Sequence, residues 1–362
     1  MNLPRNPTLM KALYALPALF AAVLFLLFPE TVFRGLLQGF STAFCRVVPA
    51  VFPMMIVSGV ILESPLADWL GFLFIPCARL LGIRNRCAAT ALYLGLLGGF
   101  AVLAQSIDRL YRCRQLDRQQ AELLLCAGMN AGPSFILLSV GYSMLGSTGI
   151  GLLLLVSLYL GNLCAAILLR AFRLRRKTDF CGSIPCAVCE GFPRTGCFTD
   201  SVRQAVSACV ALCGFIAFFT LLCELAKRIL PHTASAVICA LLEVTNGALW
   251  AAETDSTFRI YLLISVLCWS GVSIQLQAKA LLPAELSLQP FYRSRLLAIP
   301  LSFLFYGILL RLFPQILPTL ANHTLRPSRF SGGIAVSFLL MVCAFLYECT
   351  PKASLRIRQK TV

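Results

Sequence analysis

Charge is scarce in this chain. Of its 362 residues, 13% are Asp, Glu, Lys or Arg, against 59% that are hydrophobic. A soluble domain carries about 25% charged residues, so a water-covered globule is excluded. Acidic residues are scarcer still, 15 against 31 Lys and Arg, and there are only two histidines, His232 and His323. Both stand at the edges of apolar runs without a matched nucleophile or metal partner, which argues against a hydrolytic triad or a zinc protease. No glycine-rich loop ending in lysine follows a strand pattern, so ATP drive is not expected. The chain is not expected to be an enzyme or to need a cofactor.

What is present is apolar sequence. The mean hydropathy is +0.82, and the fold class that follows is all-α. We expect a polytopic membrane protein with about 8–10 membrane segments, allowing about 20 residues per full span, in two related halves with re-entrant hairpins and broken helices. The expected divisions are an N-terminal membrane anchor (1–39), a first half (40–172), a basic cysteine-containing loop (173–203), a second half (204–350) and a basic tail (351–362). The net charge of +16 collects between apolar runs, at 109–118, 170–177, 293–295 and 352–360. That placement is a topology signal and a contact with anionic lipid headgroups, not a nucleic-acid face. Parity puts all four clusters on the cytoplasmic side if 233–252 is a re-entrant hairpin, and it leaves the two halves in the same orientation.

Several local readings follow. Arg5 and Lys11 precede an uncleaved first span over 12–28, and 29–39 reads as a short connection. Pro49 and Pro53 should kink a span over 43–62. Residues 65–82 suit an interfacial helix or a hairpin, 88–107 a membrane span, and 108–120 an amphipathic surface helix. Most of the 17 cysteines lie in apolar runs, where cysteine acts as a small apolar residue. In the long loop, Cys181, Cys186, Cys189 and Cys197 hold only one two-residue gap. A solvated loop therefore explains them better than structural zinc, and no metal site is expected.

Glycine marks the candidate site. Gly95, Gly98 and Gly99 interrupt one apolar run that ends on Gln105; Ser270 and Gly271 interrupt another that carries Gln275 and Gln277. Gly99 to Gln105 and Gly271 to Gln277 share one spacing. Glycine weakens a helix by about 1 kcal/mol relative to alanine, so either feature marks a tight helix contact or a broken helix lining a site. Asn130, before Gly132-Pro133, marks a further break. Glu243 is a carboxylate within an apolar run and a functional candidate by default. It can carry a coupling ion (proton or sodium), orient Asn246, or pair with Lys227 or Lys279. Lys279 and the amides of Gln105, Asn130, Asn246, Gln275 and Gln277 offer donors to a small anion.

These motifs occur in a family's order: Val48-Pro-Ala-Val-Phe-Pro53, Gly95-Leu-Leu-Gly-Gly99, Asn130-Ala-Gly-Pro133, Leu242-Glu-Val-Thr-Asn-Gly247 and Ser270-Gly-Val-Ser-Ile-Gln275. From about Phe40 to Ile308 the chain resembles the YlbJ-type sporulation integral membrane proteins, whose core is the nucleoside-recognition (Gate) domain. The resemblance implies a fold similar to concentrative nucleoside transporters. It also implies a role in sporulation, moving dipicolinate across the outer forespore membrane. Gly99-Phe100-Ala101 departs from the family's usual Gly-Tyr-Pro, and the family's histidine near Gln275 is absent. Nucleoside transport and a non-transporting sporulation scaffold are the alternatives.

Overall fold

The computed structural model describes residues 18–64, 66–175, 197–254 and 258–314. The expectations at 1–17, at Cys181, Cys186 and Cys189, at His323, and over 334–346 and 352–360 lie outside the described residues. Every regular element among the described residues is helical, and the protein is an all-α, multi-pass membrane protein.

The stretch expected to be a short connection is helical. Helix α1 (Ala18–Leu27) ends at Phe28, and α2 (Pro29–Thr42) leaves it at 104°. Proline at the first helical position costs no hydrogen bond and pre-sets φ, which starts α2 there. α2 packs on α9 (Cys197–Ile229) through glycines one turn apart. A Cβ built on Gly39 would stand 2.5 Å from the Ala217 Cα, and one on Gly35 2.9 Å from the Leu221 Cα. Small residues at this spacing let membrane helices approach closely. A π-helical segment (Ala43–Val47) then leads into α3 (Val48–Glu63). Pro49 would crowd the carbonyl four residues back, and the widened turn, with the Val48 N–H donating to the Ala43 carbonyl, precedes it. The expected kink is thus a π segment before Pro49. The 39/40 division falls inside α2, which packs along α9.

α4 (Leu66–Leu70), a 3-10 segment (Gly71–Phe74) and α5 (Ile75–Leu80) follow. Trp69, Phe72 and Leu73 point outward and are exposed. This short apolar-faced stretch suits the membrane interface.

α6 (Arg86–Arg112) is long and apolar enough to span, and the sequence assigns it one crossing. It folds back on itself instead. Gly99 adopts φ 78°, ψ −165°, a region essentially restricted to glycine. A Cβ on Gly95 would lie 2.9 Å from the Leu103 Cβ, whereas eight residues of straight helix separate two positions by roughly 12 Å. The two ends meet: the Asn85 side-chain amide donates to the Gln115 carbonyl at 3.0 Å. The expected span over 88–107 is therefore a helical hairpin with its tip at Gly98-Gly99.

The surface helix expected over 108–120 is also absent. Those residues form the last turn of α6, a turn with Arg114 at φ 55°, and the start of α7 (Arg118–Gly128). A reciprocal capping box fixes that start: the Gln120 N–H donates to Asp117 Oδ1 at 2.7 Å, and the Asp117 N–H to Gln120 Oε1 at 3.1 Å. After an unwound turn at 129–132, the chain turns helical again at Pro133, a π-helical segment (Phe135–Met144) completes the crossing, and α8 (Thr148–Arg175) returns.

The second half repeats this order. α9 is followed by α10 (His232–Leu242) and α11 (Val244–Glu253), joined at the single residue Glu243. They too form a hairpin, since a Cβ on Gly247 would lie 2.7 Å from the Ala240 Cα. The break comes at Glu243, ahead of Asn246-Gly247. α12 (Arg259–Trp269) and α13 (Gly271–Leu281) form a span unwound at Ser270, and α14 (Gln289–Leu312) closes the described bundle.

The sequence leaves both halves in one orientation, and this is corrected by the first hairpin. Arg170 Nη1 donates to the Leu80 carbonyl at 2.7 Å, and the Ser287 N–H to Glu122 Oε1 at 3.3 Å. The open end of the first hairpin, the end of α8 and the start of α14 therefore share one end of the bundle. One crossing by α9 carries the chain to the other end, where the second hairpin opens. The halves are inverted relative to each other. They share one core, in which Leu124, Ile136, Leu154, Leu263 and Phe291 are buried together.

Candidate functional site

Each hairpin tip rests on the unwound turn of the span that follows it. In the first half, a Cβ on Gly99 would meet the Gly132 N at 2.9 Å and the Asn130 carbonyl oxygen at 3.6 Å. In the second, a Cβ on Gly271 would meet the Val244 N, the Leu242 O and the Glu243 Cα at 3.0 to 3.2 Å. Gly271 sits at φ 70°, and Ser270 beside it at φ 68°. A left-handed residue other than glycine carries roughly 1–2 kcal/mol of strain. Ser270 Oγ donates to the Leu267 carbonyl at 3.1 Å, tying down the end of α12. At both crossings backbone groups lie free of helical bonding in the interior, which is tolerated only where protein or a cavity satisfies them.

The equal glycine-to-glutamine spacing is therefore not a structural equivalence. Gly99 is a hairpin tip, and its counterpart is Glu243. Ser270-Gly271 is an unwound turn, and its counterpart is the turn around Asn130.

Glu243 caps α11. Its Oε2 accepts from the Asn246 N–H at 2.8 Å and from the Asn246 side-chain amide at 3.2 Å. The carboxylate thus holds the hairpin tip and orients Asn246. The ion-pair alternative is not what the structure contains: Lys227 pairs with Glu224 at 2.7 Å, and Lys279 Nζ donates to the carbonyls of Ala284 and Leu286. Lys279 lies eight residues from Gly271, roughly 12 Å along the helix, and closes the loop before α14.

The glutamines divide between the two halves of the bundle. Gln275 Nε2 donates to the Trp269 carbonyl at 3.0 Å across the unwound turn, and Gln277 Nε2 to Ser273 Oγ at 2.8 Å; both are buried. Gln105 lies toward the open end of the first hairpin. Its Nε2 is 3.5 Å from Gln204 Oε1, and its own Oε1 is buried without a partner. Arg109, next to it, is buried and paired with Glu63 at 2.9 Å.

A residue read from sequence only as part of a topology cluster belongs to the interior. Arg295 is 1% exposed. Its Nη1 donates to Asn162 Oδ1, its Nη2 to the Met129 carbonyl at 2.5 Å, and its guanidinium stacks over Phe291 at 4.3 Å. Asn162 in turn donates to Asn130 Oδ1 and accepts from Cys268 Sγ at 3.7 Å. Asn130 is at the first crossing and Cys268 two residues from the second break, so this network joins the two. The sequence signal available was the position of Arg295 six residues into a helix, at helical spacing from Phe291, Ala298 and Ser302 on the face that is buried. Asn162, inside a clean apolar run, was missed as well.

A cavity of about 620 Å³ opens elsewhere, between the α6–α7 turn (Arg112, Arg114, Arg118) and Pro283 and Glu285. Its lining includes none of the residues at the two crossings. Among the described residues, no group of His, Cys, Asp and Glu could hold a metal ion.

No family model matches the chain, and no solved structure matches it. It is similar to the sporulation integral membrane protein YlbJ of Bacillus subtilis (strain 168), with 25% identity over 334 residues that cover 82% of this chain and 81% of that protein.

Proposed function

We propose that this protein carries a small anionic solute across a membrane, with dipicolinate crossing the outer forespore membrane during sporulation as the substrate and place. The observation that carries the reading is the pair of crossings, in which each hairpin tip seats on the unwound turn of the span that follows it, once in each of two inverted halves. Inverted halves with discontinuous helices are the arrangement by which many transporters hold solute between two moving parts. The backbone N–H groups at a break and the amides of Asn130, Asn246, Gln275 and Gln277 suit carboxylates. The sporulation name of the similar Bacillus subtilis protein supports the setting. The hairpin and broken-span order also supports the Gate-type, concentrative-nucleoside-transporter-like fold that the motifs imply. In this reading the partners are the lipid bilayer and the anion, no enzyme chemistry is involved, and Glu243 is the candidate for a coupling proton or sodium ion.

The test is genetic. Deleting the gene in its spore-forming host should leave spores depleted of dipicolinate, and the intact gene should restore it. Spores with unchanged dipicolinate would refute the reading.

A further inference from the structure

We propose that Arg295 is the specificity-determining residue of this site and takes a carboxylate of the transported solute; this rests on the anion-transport reading above. A buried guanidinium is costly unless its charge is balanced. Among the described residues no carboxylate pairs with Arg295. Its neighbours are neutral: the Asn162 amide, the Met129 carbonyl, the Phe291 ring and the Cys268 thiol bound to the same amide oxygen. A guanidinium has five N–H donors, of which Asn162, Met129 and the Cys268 sulfur engage three. Its Nε is buried with no hydrogen-bond partner. An unbalanced charge with spare, planar donors is what a carboxylate recognises in two-pronged fashion.

The placement makes this a substrate position and not merely a packing device. Met129 and Asn130 form the start of the unwound turn on which the first hairpin tip rests. Cys268 is the last residue but one of α12, which unwinds at Ser270. An anion on Arg295 therefore lies within one network of both breaks, and its charge is sensed by both halves. Lys279, the cation the sequence offers for this role, is committed to loop carbonyls.

Asn162→Asp separates the two roles of Arg295. It puts a carboxylate at the atom that already accepts from the guanidinium, supplying an internal counterion. Purified protein in detergent is titrated with dipicolinate, benzoate, uncharged dimethyl dipicolinate and uridine, and its melting temperature is followed alongside. We expect the wild type to bind the carboxylates in preference to the ester. We expect Asn162→Asp to melt at or above the wild-type temperature while its carboxylate affinity falls at least tenfold. Arg295→Lys, which keeps the charge and loses the fork, should weaken dipicolinate more than benzoate. Wild-type dipicolinate affinity in Asn162→Asp overturns the role of Arg295 and leaves the transport reading standing. Binding of benzoate but not dipicolinate, lost in Asn162→Asp, keeps Arg295 and overturns the substrate. Binding of uridine with none of the carboxylates overturns both.

Discussion

Replacing Gly99 by alanine is the sharpest structural perturbation that the fold offers. Two costs apply at this position. The backbone at φ 78°, ψ −165° is nearly closed to any residue with a Cβ, and holding one there costs about 1–3 kcal/mol. The added Cβ would also stand 2.9 Å from the Gly132 N and 3.2 Å from the Gly132 Cα, backbone atoms that cannot rotate away. Overpacking of this kind costs about 1–3 kcal/mol more. The sum is about 2–6 kcal/mol, and even its lower limit is a roughly 30-fold loss in the folding equilibrium. Gly307 is the control. It lies in α14, and a Cβ there would find no atom within 4 Å, so Gly307→Ala should gain about 0.5–1 kcal/mol from helix propensity alone. Equilibrium unfolding of the two variants in mixed micelles measures the difference. A Gly99→Ala protein as stable as the wild type, or a Gly307→Ala protein that is the weaker of the two, would refute the hairpin geometry.

Two further outcomes are expected. Glu243→Ala removes the cap of α11 and should cost about 0.5–2 kcal/mol in the same unfolding assay. Glu243→Gln, which keeps an acceptor for the Asn246 N–H, should cost less, and an equal loss would contradict the capping role. Single cysteines placed at Arg86 and at Arg112 in a cysteine-free background should react with an impermeant thiol reagent from the same side of the membrane. Reaction from opposite sides would mean that α6 crosses.

How much of this was readable in the sequence depends on which physical signal each feature leaves. Apolar runs, basic clusters and the glycine and proline breaks identified a multi-pass helical bundle with interrupted segments, because burial in lipid and broken backbone both demand particular residue types. The hairpin at Gly98-Gly99 was not readable as a hairpin. A glycine pair permits a kink, a tight contact or a reversal, and only the meeting of Asn85 with Gln115 selects the last. That one choice also decides orientation, since counting α6 as a crossing leaves the halves parallel. Glu243 stood out in the sequence as a candidate because an intramembrane carboxylate is expensive, and its partner, Asn246, is settled by the cap at the hairpin tip. Arg295 was hidden by its own sequence neighbour. Arg293 is exposed and Arg295 buried, and two arginines two residues apart near a helix start look alike until the helix face is known. α2 was misread because its mix of proline, glycine and charge resembles a loop, while its helicity comes from packing its glycine face on α9.

Flux through the purified protein tests the central claim most directly. The wild type, Gln277→Ala and Asn162→Asp are reconstituted into liposomes, and uptake of labelled dipicolinate is compared with uptake of labelled uridine. The account predicts saturable dipicolinate uptake by the wild type, well above uridine, and uptake reduced at least tenfold in both variants although they insert normally. Liposomes carrying the wild type that take up dipicolinate no faster than empty ones would contradict it.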